Sequence, residues 1–462
     1  MTKTTIFSRT LLSSALLAVA GGAQAAAFQL AEVSSSGLGR AYAGEAAIAD
    51  NASVVATNPA LMTLFKTNQF SAGGVYVDSK IRVSGEAKAT LTSAVLQKEL
   101  ANGNLDNNNV VPNAFVPNMY FVAPINDKFA IGTGMNVNFG LKSEYNEDYD
   151  GGVFGGKTDL TTINLNLSGA YRVTQGLSFG AGVNAVYAKA KIERRAGMLD
   201  DALSEAVALT SHMPLPPALI AGLAAKSNML NRGTVVTHLE DRNAWGFGWN
   251  AGLVYEFNEN HRLGLSYHSK VDIDFKDNAA IGQERSGPGG LTLHLPSYWQ
   301  ISGFHQLTDT FAVHYSYKRT KWSRLQELHA TYDDGNEAFD KDLNYRDTSF
   351  ISLGGTYQVN DALVLRAGVA YDKATEQATA AIPDTNRTWY SLGATYKFTP
   401  NLSVDFGFAH LRGKKVSFTE QQDIAKFQLP PQMGGEVKAS VNANYTSKSS
   451  ANLYGLNVNY SF

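Results

Sequence analysis

Alternation of apolar and polar side chains is the feature that most restricts the fold of this chain. From about residue 70 to the C-terminus, segments of 10 to 20 residues repeat the pattern and are separated by turn residues. In one of them Ile351, Leu353 and Tyr357 alternate with Ser352 and Gln358. A period of two gives a β-strand one apolar and one polar face. The sequence therefore predicts an all-β protein, although alternation alone fits both a sandwich and a barrel.

Strand length, loop length and the C-terminus favour a membrane barrel over a sandwich. The segments are long, and a tilted membrane strand needs about 9–11 residues. Short turns alternate with long polar connections, as in barrels whose two rims face different compartments. The short turns lie at residues 126–127, 174–176, 258–260, 308–309, 360–361 and 400–401. The chain ends with Tyr454, Leu456, Val458, Tyr460 and Phe462 on one face, which is similar to the C-terminal strand of bacterial outer-membrane barrels.

The alternating segments number fourteen, an even count that puts both ends of the chain on the same rim of the barrel. They lie at residues 70–83, 115–125, 128–142, 159–173, 177–194, 234–257, 261–276, 291–306, 310–332, 345–359, 362–376, 387–398, 402–420 and 450–462. Closure into a cylinder leaves no strand edge exposed to lipid, which cannot hydrogen-bond it. We therefore predict a 14-stranded antiparallel transmembrane β-barrel over residues 68–462.

Composition excludes several other classes of protein. The chain lacks the runs of about 20 apolar residues of a helical membrane protein. It contains no Cys, and its net charge of −2 gives no nucleic-acid footprint. His268, His294, His305 and His314 fall in separate segments without a metal-site spacing. The G-x-S-x-G match at residues 176–180 opens an alternating strand segment and does not form a strand-to-helix elbow, so we expect no cofactor, no metal, no nucleic-acid partner and no enzymatic activity.

The first 25 residues have the pattern of a secretory signal peptide. Lys3 and Arg9 give a positive start, residues 11–20 are mostly apolar, and Ala23-Gln24-Ala25 forms an A-x-A cleavage site. We expect residues 1–25 to be removed and the mature protein to work outside the cytoplasm.

Residues 26–67 lack the alternation and are rich in small side chains. The sequence Asn58-Pro59-Ala60 predicts a turn into a short helix, because Pro is favoured at the first helical position. Eight strands already make a bore that wall side chains can fill, so fourteen leave a wider space. We predict that residues 26–67, called the hatch below, form a plug of short helices in the lumen. The alternative is a periplasmic tail.

Two long connections carry further features. Residues 195–233 contain two apolar helical patterns, which comprise Leu199, Leu203, Val207, Leu219, Ile220 and Leu223. Apolar helices in a water-facing loop predict a capture surface for an apolar ligand, or helices that only pack on each other and on the barrel mouth. Residues 144–150 form an acidic loop, for which the alternatives are a Ca²⁺ site between lipopolysaccharide groups and a solvated loop.

Several motifs together resemble the FadL-type long-chain fatty acid transporters. Those in the hatch are Phe28-Gln29-Leu30, residues 34–42, residues 47–50 and residues 58–61. Later matches lie at residues 116–127, 164–172, 190–194 and 245–252, so the likeness covers essentially the whole mature chain. It is weakest near residues 85–110, 195–233 and 421–446.

The resemblance implies a barrel that the hatch closes, with an outer low-affinity groove and a deeper high-affinity pocket. It implies that Phe28, Gln29 and Leu30 contact the pocket and move when ligand binds. An inward kink of the third strand then opens the wall sideways, and the matching residues are Asn138, Phe139 and Gly140. The two basic positions associated with the ligand head group correspond to Arg194 and Arg346.

These implications define the expected function. It is passive uptake of long-chain fatty acids across the outer membrane of a Gram-negative bacterium. The alternative within the family is uptake of aromatic or other neutral hydrophobic compounds by the same route. An open porin and an outer-membrane lipid hydrolase are alternatives of other classes. The expected surroundings are outer-membrane lipid and lipopolysaccharide, with the protein as a monomer.

Overall fold

The computed structural model describes residues 27–211, 217–282, 285–428 and 435–462. The predicted signal peptide lies outside the described residues. Within those ranges no helix combines the length and the apolar character needed to cross a bilayer.

The described chain consists mainly of β-strands, numbered β1 to β21. Their bounds are Gln69–Thr92, Gln97–Asn104, Ala114–Pro124, Phe129–Asn136, Gly140–Glu144, Lys157–Arg172, Leu177–Arg195, Val235–Asn258, His261–His268, Val271–Ile281, Ser286–Leu295, Tyr298–Gln306, Phe311–Thr320, Glu327–Tyr332, Glu337–Asp342, Thr348–Gln358, Leu363–Lys373, Arg387–Lys397, Leu402–Gly413, Val416–Gln428 and Glu436–Ser461. All pair antiparallel, and β1 pairs with both β21 and β3, which closes the sheet.

The predicted fourteen-stranded barrel is confirmed. Six barrel strands are each made of two consecutive segments, and the third barrel strand consists of β4 followed by β5. The strand β2 pairs antiparallel with the last part of β1 and is not counted as a separate barrel strand. Counting each divided strand once gives fourteen around the closed sheet.

The first and last strands continue well beyond the predicted membrane segments. We predicted strands at residues 70–83 and 450–462, but β1 reaches Thr92 and β21 begins at Glu436. Their extensions pair in register from Ser84 opposite Thr446 to Thr92 opposite Lys438. The exposed positions there carry polar side chains, such as Glu86 and Lys88, so the sequence lacks the apolar face of a membrane strand.

The outer surface of the barrel carries an apolar band. Leu353, Leu392 and Phe247 point outward and are exposed, whereas their inward neighbours Ser352 and Ser391 are buried. Exposed aromatic side chains gather near the short turns, where they form a girdle that comprises Phe129, Tyr255, Phe257, Phe311, Tyr357, Tyr396, Phe398, Tyr460 and Phe462. Apolar bands edged by aromatic girdles are the lipid-facing surface of membrane barrels.

The hatch folds into short helices inside the barrel. Helix α1 spans Ser35–Leu38, helix α2 spans Val54–Thr57, and a 3₁₀-helix spans Pro59–Leu64. Asn58 caps the 3₁₀-helix, because its Oδ1 accepts a hydrogen bond from the N–H of Ala60 at 3.1 Å. The Nδ2 of Asn58 donates to the carbonyl of Leu253 in the wall at 3.1 Å. The Asn-Pro-Ala sequence therefore both starts a helix and attaches it to the barrel.

Glycines in the wall allow the hatch backbone to lie directly against the strands. A Cβ added at Gly264 would lie 1.7 Å from the carbonyl oxygen of Ala46, and one at Gly368 would lie 2.2 Å from that of Arg40. A Cβ at Gly180 would lie 2.4 Å from the hatch backbone nitrogen of Ala60. Since none of these positions has room for a side chain, they form a seat for the hatch.

An ionic network joins the hatch to the wall, and in it Arg40, Glu45 and Arg366 are buried whereas Asp50 is exposed. The Arg40 guanidinium contacts Glu45 at 2.6 Å and Asp50 at 2.9 Å, all three within the hatch. Asp50 also contacts Arg366 of the wall at 3.4 Å. Displacement of the hatch would separate Asp50 from the buried Arg366 guanidinium and leave that charge without this partner, so the network opposes displacement.

The glycine seat gives a first prediction. Replacing Gly264 by Leu should push the hatch away from the wall while the outward face of β9 stays unchanged. We expect steady ion conductance in planar bilayers well above that of the wild type. Gly287→Leu is the matched control, because a Cβ there meets nothing within 4 Å. Wild-type conductance of a folded Gly264→Leu barrel would show that the hatch does not depend on this seat.

Candidate functional site

The third barrel strand is interrupted, and the N-terminus of the hatch binds at the interruption. The strand β4 ends at Asn136 and β5 begins at Gly140, so residues 137–139 form a strand break. Beside it, the N–H of Leu30 donates to the carbonyl of Asn138 at 2.8 Å, and the N–H of Gly140 donates to that of Phe28 at 2.9 Å. The hatch thus supplies backbone hydrogen bonds that a continuous neighbouring strand would otherwise supply.

The wall is also incompletely paired beside this break. The register of β3 with β4 stops at Met119 opposite Met135, although β3 begins at Ala114. The strand β5 pairs with β6, and within the described chain no ladder joins it to β3. The structure therefore brings the predicted kink residues and the predicted N-terminal residues together at a gap in the barrel wall. Their roles in ligand exit stay predictions.

An aromatic cluster lies under the strand break. The ring centroid of Phe28 is 4.7 Å from that of Trp322 and 6.4 Å from that of Phe139. Trp322 also contacts Tyr345 edge-on, at 5.8 Å between centroids. All four side chains are buried. Sequence reasoning missed Trp322 and Tyr345, because both follow from loop packing that strand alternation does not encode. The cluster gives the lumen at this level an apolar lining.

Arg194 is a buried cation whose guanidinium hydrogen bonds, within the described chain, go to neutral groups. It donates to the carbonyl oxygens of Lys157 at 3.1 Å and Glu193 at 2.8 Å, and to Thr158 Oγ1 at 3.1 Å. The Glu193 carboxylate pairs with Arg195 instead, at 2.8 Å. Among the described residues no carboxylate lies within 4.0 Å of Arg194. Its charge is therefore not neutralised by a short ion pair within the described chain.

Arg346 occupies a different environment from the one predicted. Its side chain is 70% exposed, and it pairs with Glu376 at 2.8 Å. Hydrogen bonding and charge from Lys373, followed by those from Arg346, lower the pKa of the Glu376 carboxyl. The structure thus does not bring Arg194 and Arg346 together in one buried pocket. The sequence did not reveal this, because Glu376 lies thirty residues further along, in another loop.

The predicted capture loop forms an apolar cavity at the outer rim. Helix α3 spans Leu199–Thr210 and helix α4 spans Pro217–Met229. Leu203 and Leu223 line a narrow apolar cavity, and its other walls are Leu91, Leu100, Ala202, Ala206, Thr210, Ile424, Ala425 and Ala439. Leu199, Val207 and Ile220 are half-buried, and the side chain of Leu219 lies outside the described part. Two of the six predicted residues therefore line one cavity.

Inward-facing asparagines form a polar ladder across four barrel strands. Asn164 Nδ2 donates to Asn136 Oδ1 at 3.1 Å and to Asn184 Oδ1 at 3.2 Å. Asn184 and Asn166 both donate to Asn250 Oδ1, at 3.0 and 2.9 Å. Sequence reasoning missed this ladder, although these asparagines occupy the polar positions of alternating segments. It makes one side of the lumen polar next to the strand break.

The acidic loop offers no set of free carboxylates. Glu144 pairs with Lys157 at 3.5 Å, Glu147 pairs with Arg195 at 3.1 Å, and Asp150 pairs with Arg232. In the described ranges no group of three or more His, Cys, Asp or Glu side chains is placed to hold a metal ion. The structure thus gives no support to Ca²⁺ binding there.

Comparisons with known sequences agree with this architecture. Residues 16–462 match the family described as outer membrane protein transport protein (OMPP1/FadL/TodX). Outer membrane protein P1 of Haemophilus influenzae is 60% identical over 471 residues, which cover 99% of each chain. The long-chain fatty acid transport protein of Escherichia coli (strain K12) is 40% identical over 484 residues, which cover 100% of each chain.

Solved structures share the fold. A FadL homologue of Pseudomonas aeruginosa aligns with a TM-score of 0.75 at 24% identity, over 95% of this chain and 100% of that chain. The toluene transporter TodX of P. putida aligns with a TM-score of 0.59 at 21% identity, over 90% and 95% of the two chains.

A closed barrel with a lipid-facing band, a filled lumen and an apolar site at a wall gap defines an outer-membrane transporter of hydrophobic compounds. The chain belongs to the OMPP1/FadL/TodX family of outer membrane transport proteins. Its predicted location in the bacterial outer membrane is thereby confirmed.

Proposed function

We propose that this protein takes up long-chain fatty acids passively across the outer membrane. The observation that carries the proposal is Arg194, a buried guanidinium without a carboxylate partner among the described residues. A carboxylate buried without a partner is costly, whereas a guanidinium can hold it through charge-assisted hydrogen bonds. A neutral hydrocarbon would need no such group. An anionic head on an apolar chain is therefore the ligand class that fits.

Transport of this ligand needs no energy source. A sixteen-carbon chain gains roughly 0.8 kcal/mol per buried methylene, about 11 kcal/mol in total, when it leaves water. The polar outer surface of the membrane is the obstacle. The cavity of Leu203 and Leu223 would capture the ligand at the outer rim, and Arg194 would hold its head group further in. Movement of residues 28–30 away from the strand break would then let it leave through the wall.

Competition binding tests the choice of ligand. Palmitate and 1-hexadecanol have chains of equal length and differ in head-group charge. We expect palmitate to displace a fluorescent fatty acid at a concentration at least about tenfold lower, the factor that corresponds to 1.4 kcal/mol. Equal displacement by both compounds would favour transport of neutral hydrophobic compounds instead.

The outer cavity gives a second prediction. Leu203→Asn introduces an amide into an apolar cavity, so we expect ligand affinity at the outer rim to fall by roughly tenfold. Initial uptake of labelled palmitate should decrease at low concentration and recover at saturation. Ala208→Asn on the exposed side of helix α3 is the control and should leave both rates unchanged. Equal uptake by the two variants at every concentration would exclude the cavity from the route.

A further inference from the structure

Lys318 is a lumenal cation close to the N-terminal end of the hatch. It lies on β13 in the inward alternation, in which His314, Ser316 and Thr320 are buried. Thr320, two residues further along, donates from its Oγ1 to Gln29 Oε1 at 2.8 Å. Taken as a whole residue, Lys318 is half-buried. It therefore stands beside the residues that cover the strand break and keeps surface that a ligand can reach.

The ammonium group of Lys318 contacts aromatic rings rather than a carboxylate. Its Nζ lies 5.8 Å from the ring centroid of Tyr298 and 5.4 Å from that of Phe350. Cation–π contacts of this kind stabilise a lysine without neutralising its charge. No carboxylate among the described residues lies within 4.0 Å of it.

Two of the three acidic groups around Lys318 pair with arginines, whereas Glu32 Oε1 has no hydrogen-bond partner in the described chain. Asp372 pairs with Arg387 at 3.4 Å, and Glu45 pairs with Arg40 at 2.6 Å. The carboxylate of Glu32 accepts the N–H of Ala31 at 2.8 Å. The positive charge is thus not consumed by a short ion pair.

Tyr298 connects Lys318 to a cavity at the strand break. Its ring stacks on His268, with centroids 4.5 Å apart, and both side chains line a cavity with Asn138 and Phe139. Two buried polar atoms of the lining, Asn164 Oδ1 and His268 Nδ1, have no hydrogen-bond partner in the described chain. Phe139 supplies an apolar wall. The cavity therefore offers both polar and apolar contacts beside the wall gap.

We propose that Lys318 is a second binding point for the ligand carboxylate, which it receives between Arg194 and the gap beside β5. This inference rests on the proposed function. A carboxylate that left Arg194 for a purely apolar passage would lose all its polar partners, so a second cation on the path lowers the barrier to exit. A lysine suits short-lived binding of a carboxylate, because its ammonium group cannot form the two parallel hydrogen bonds with which arginine binds a carboxylate. The ligand class is a single anionic head on a long alkyl chain.

Replacing Lys318 by Met tests this role, since Met keeps much of the length and removes the charge. We expect palmitate uptake to slow by about tenfold, the effect of losing one charge-assisted contact, while equilibrium affinity at Arg194 changes little. Uptake of 1-hexadecanol should stay at the wild-type rate. Lys318→Arg should retain most palmitate uptake. Lys321→Met, at an exposed position one residue beyond β13, is the matched control.

The outcomes separate the two proposals. An equal decrease for palmitate and hexadecanol would assign Lys318 a structural role, and wild-type palmitate uptake by Lys318→Met would exclude it from the path. Either result overturns the inference on Lys318 while a wild-type preference for palmitate leaves the proposed function intact. If the wild type itself shows no preference for palmitate over hexadecanol, the proposed function fails, and the role of Lys318 fails with it.

Discussion

A disulfide between positions 29 and 139 should stop ligand uptake and leave the barrel folded. Gln29 and Phe139 face each other in an isolated antiparallel bridge. Hydrogen bonds flank the pair on both sides, at 2.8 and 2.9 Å, so it is a non-hydrogen-bonded pair with Cα atoms about 4.5 Å apart. That separation suits a disulfide. Because the chain contains no Cys, the variant Gln29→Cys/Phe139→Cys can form only this bond within one molecule.

The effect of the disulfide on uptake should be reversible. In the oxidised variant the N-terminal segment cannot leave the strand break, so we expect palmitate uptake near background, and added reductant should restore it. Comparison of the two redox states of one protein removes the effect of losing the Phe139 ring. Each single-Cys variant, oxidised in the same way, is the control. Undiminished uptake by the fully cross-linked protein would show that the ligand does not pass this break.

Arg194→Met should weaken palmitate binding by about ten- to a hundredfold. Hydrogen bonds to charged groups are worth about 1.5–3 kcal/mol, which corresponds to that range. Hexadecanol binding should change little, because an alcohol makes no ion pair. Isothermal titration of both ligands into the detergent-solubilised variant measures the difference.

A matched control for Arg194 is Arg346→Met. Arg346 is exposed and paired with Glu376, so its removal should have less effect than that of Arg194. Removal of the Arg194 guanidinium leaves its buried hydrogen-bond acceptors without a donor. Thermal unfolding of both variants checks that this loss does not destabilise the barrel. If palmitate affinity survives in Arg194→Met, the head group binds elsewhere.

The barrel could be predicted because the alternation of its strands is visible within each short segment of sequence. Each strand that crosses lipid must have apolar side chains on its outward face, as Leu353 and Leu392 show. This requirement produces apolar residues at every second position of the sequence. The strand break is less visible, since Gly140 alone does not indicate a kink. Its position came from the family resemblance, and the structure places Phe28 and Leu30 against it.

Other parts of the site depend on contacts between distant segments. The contacts of Trp322 with Phe28 and Tyr345 join three segments that lie far apart in the sequence. Arg194 has no carboxylate partner in the described chain because the Glu193 carboxylate pairs with Arg195. Arg346 is exposed because its loop places it beside Glu376 at the surface. Such choices between partners are set by tertiary geometry. A sequence pattern can show that a charge exists, but it does not show which charge remains unpaired.

An experimental structure of the protein with bound palmitate would test the central claim most directly. We expect the carboxylate within hydrogen-bonding distance of the Arg194 guanidinium, with the alkyl chain among apolar side chains and residues 28–30 displaced from Asn138 and Gly140. A head group bound away from Arg194, together with a continuous water-filled path past an undisplaced hatch, would contradict it.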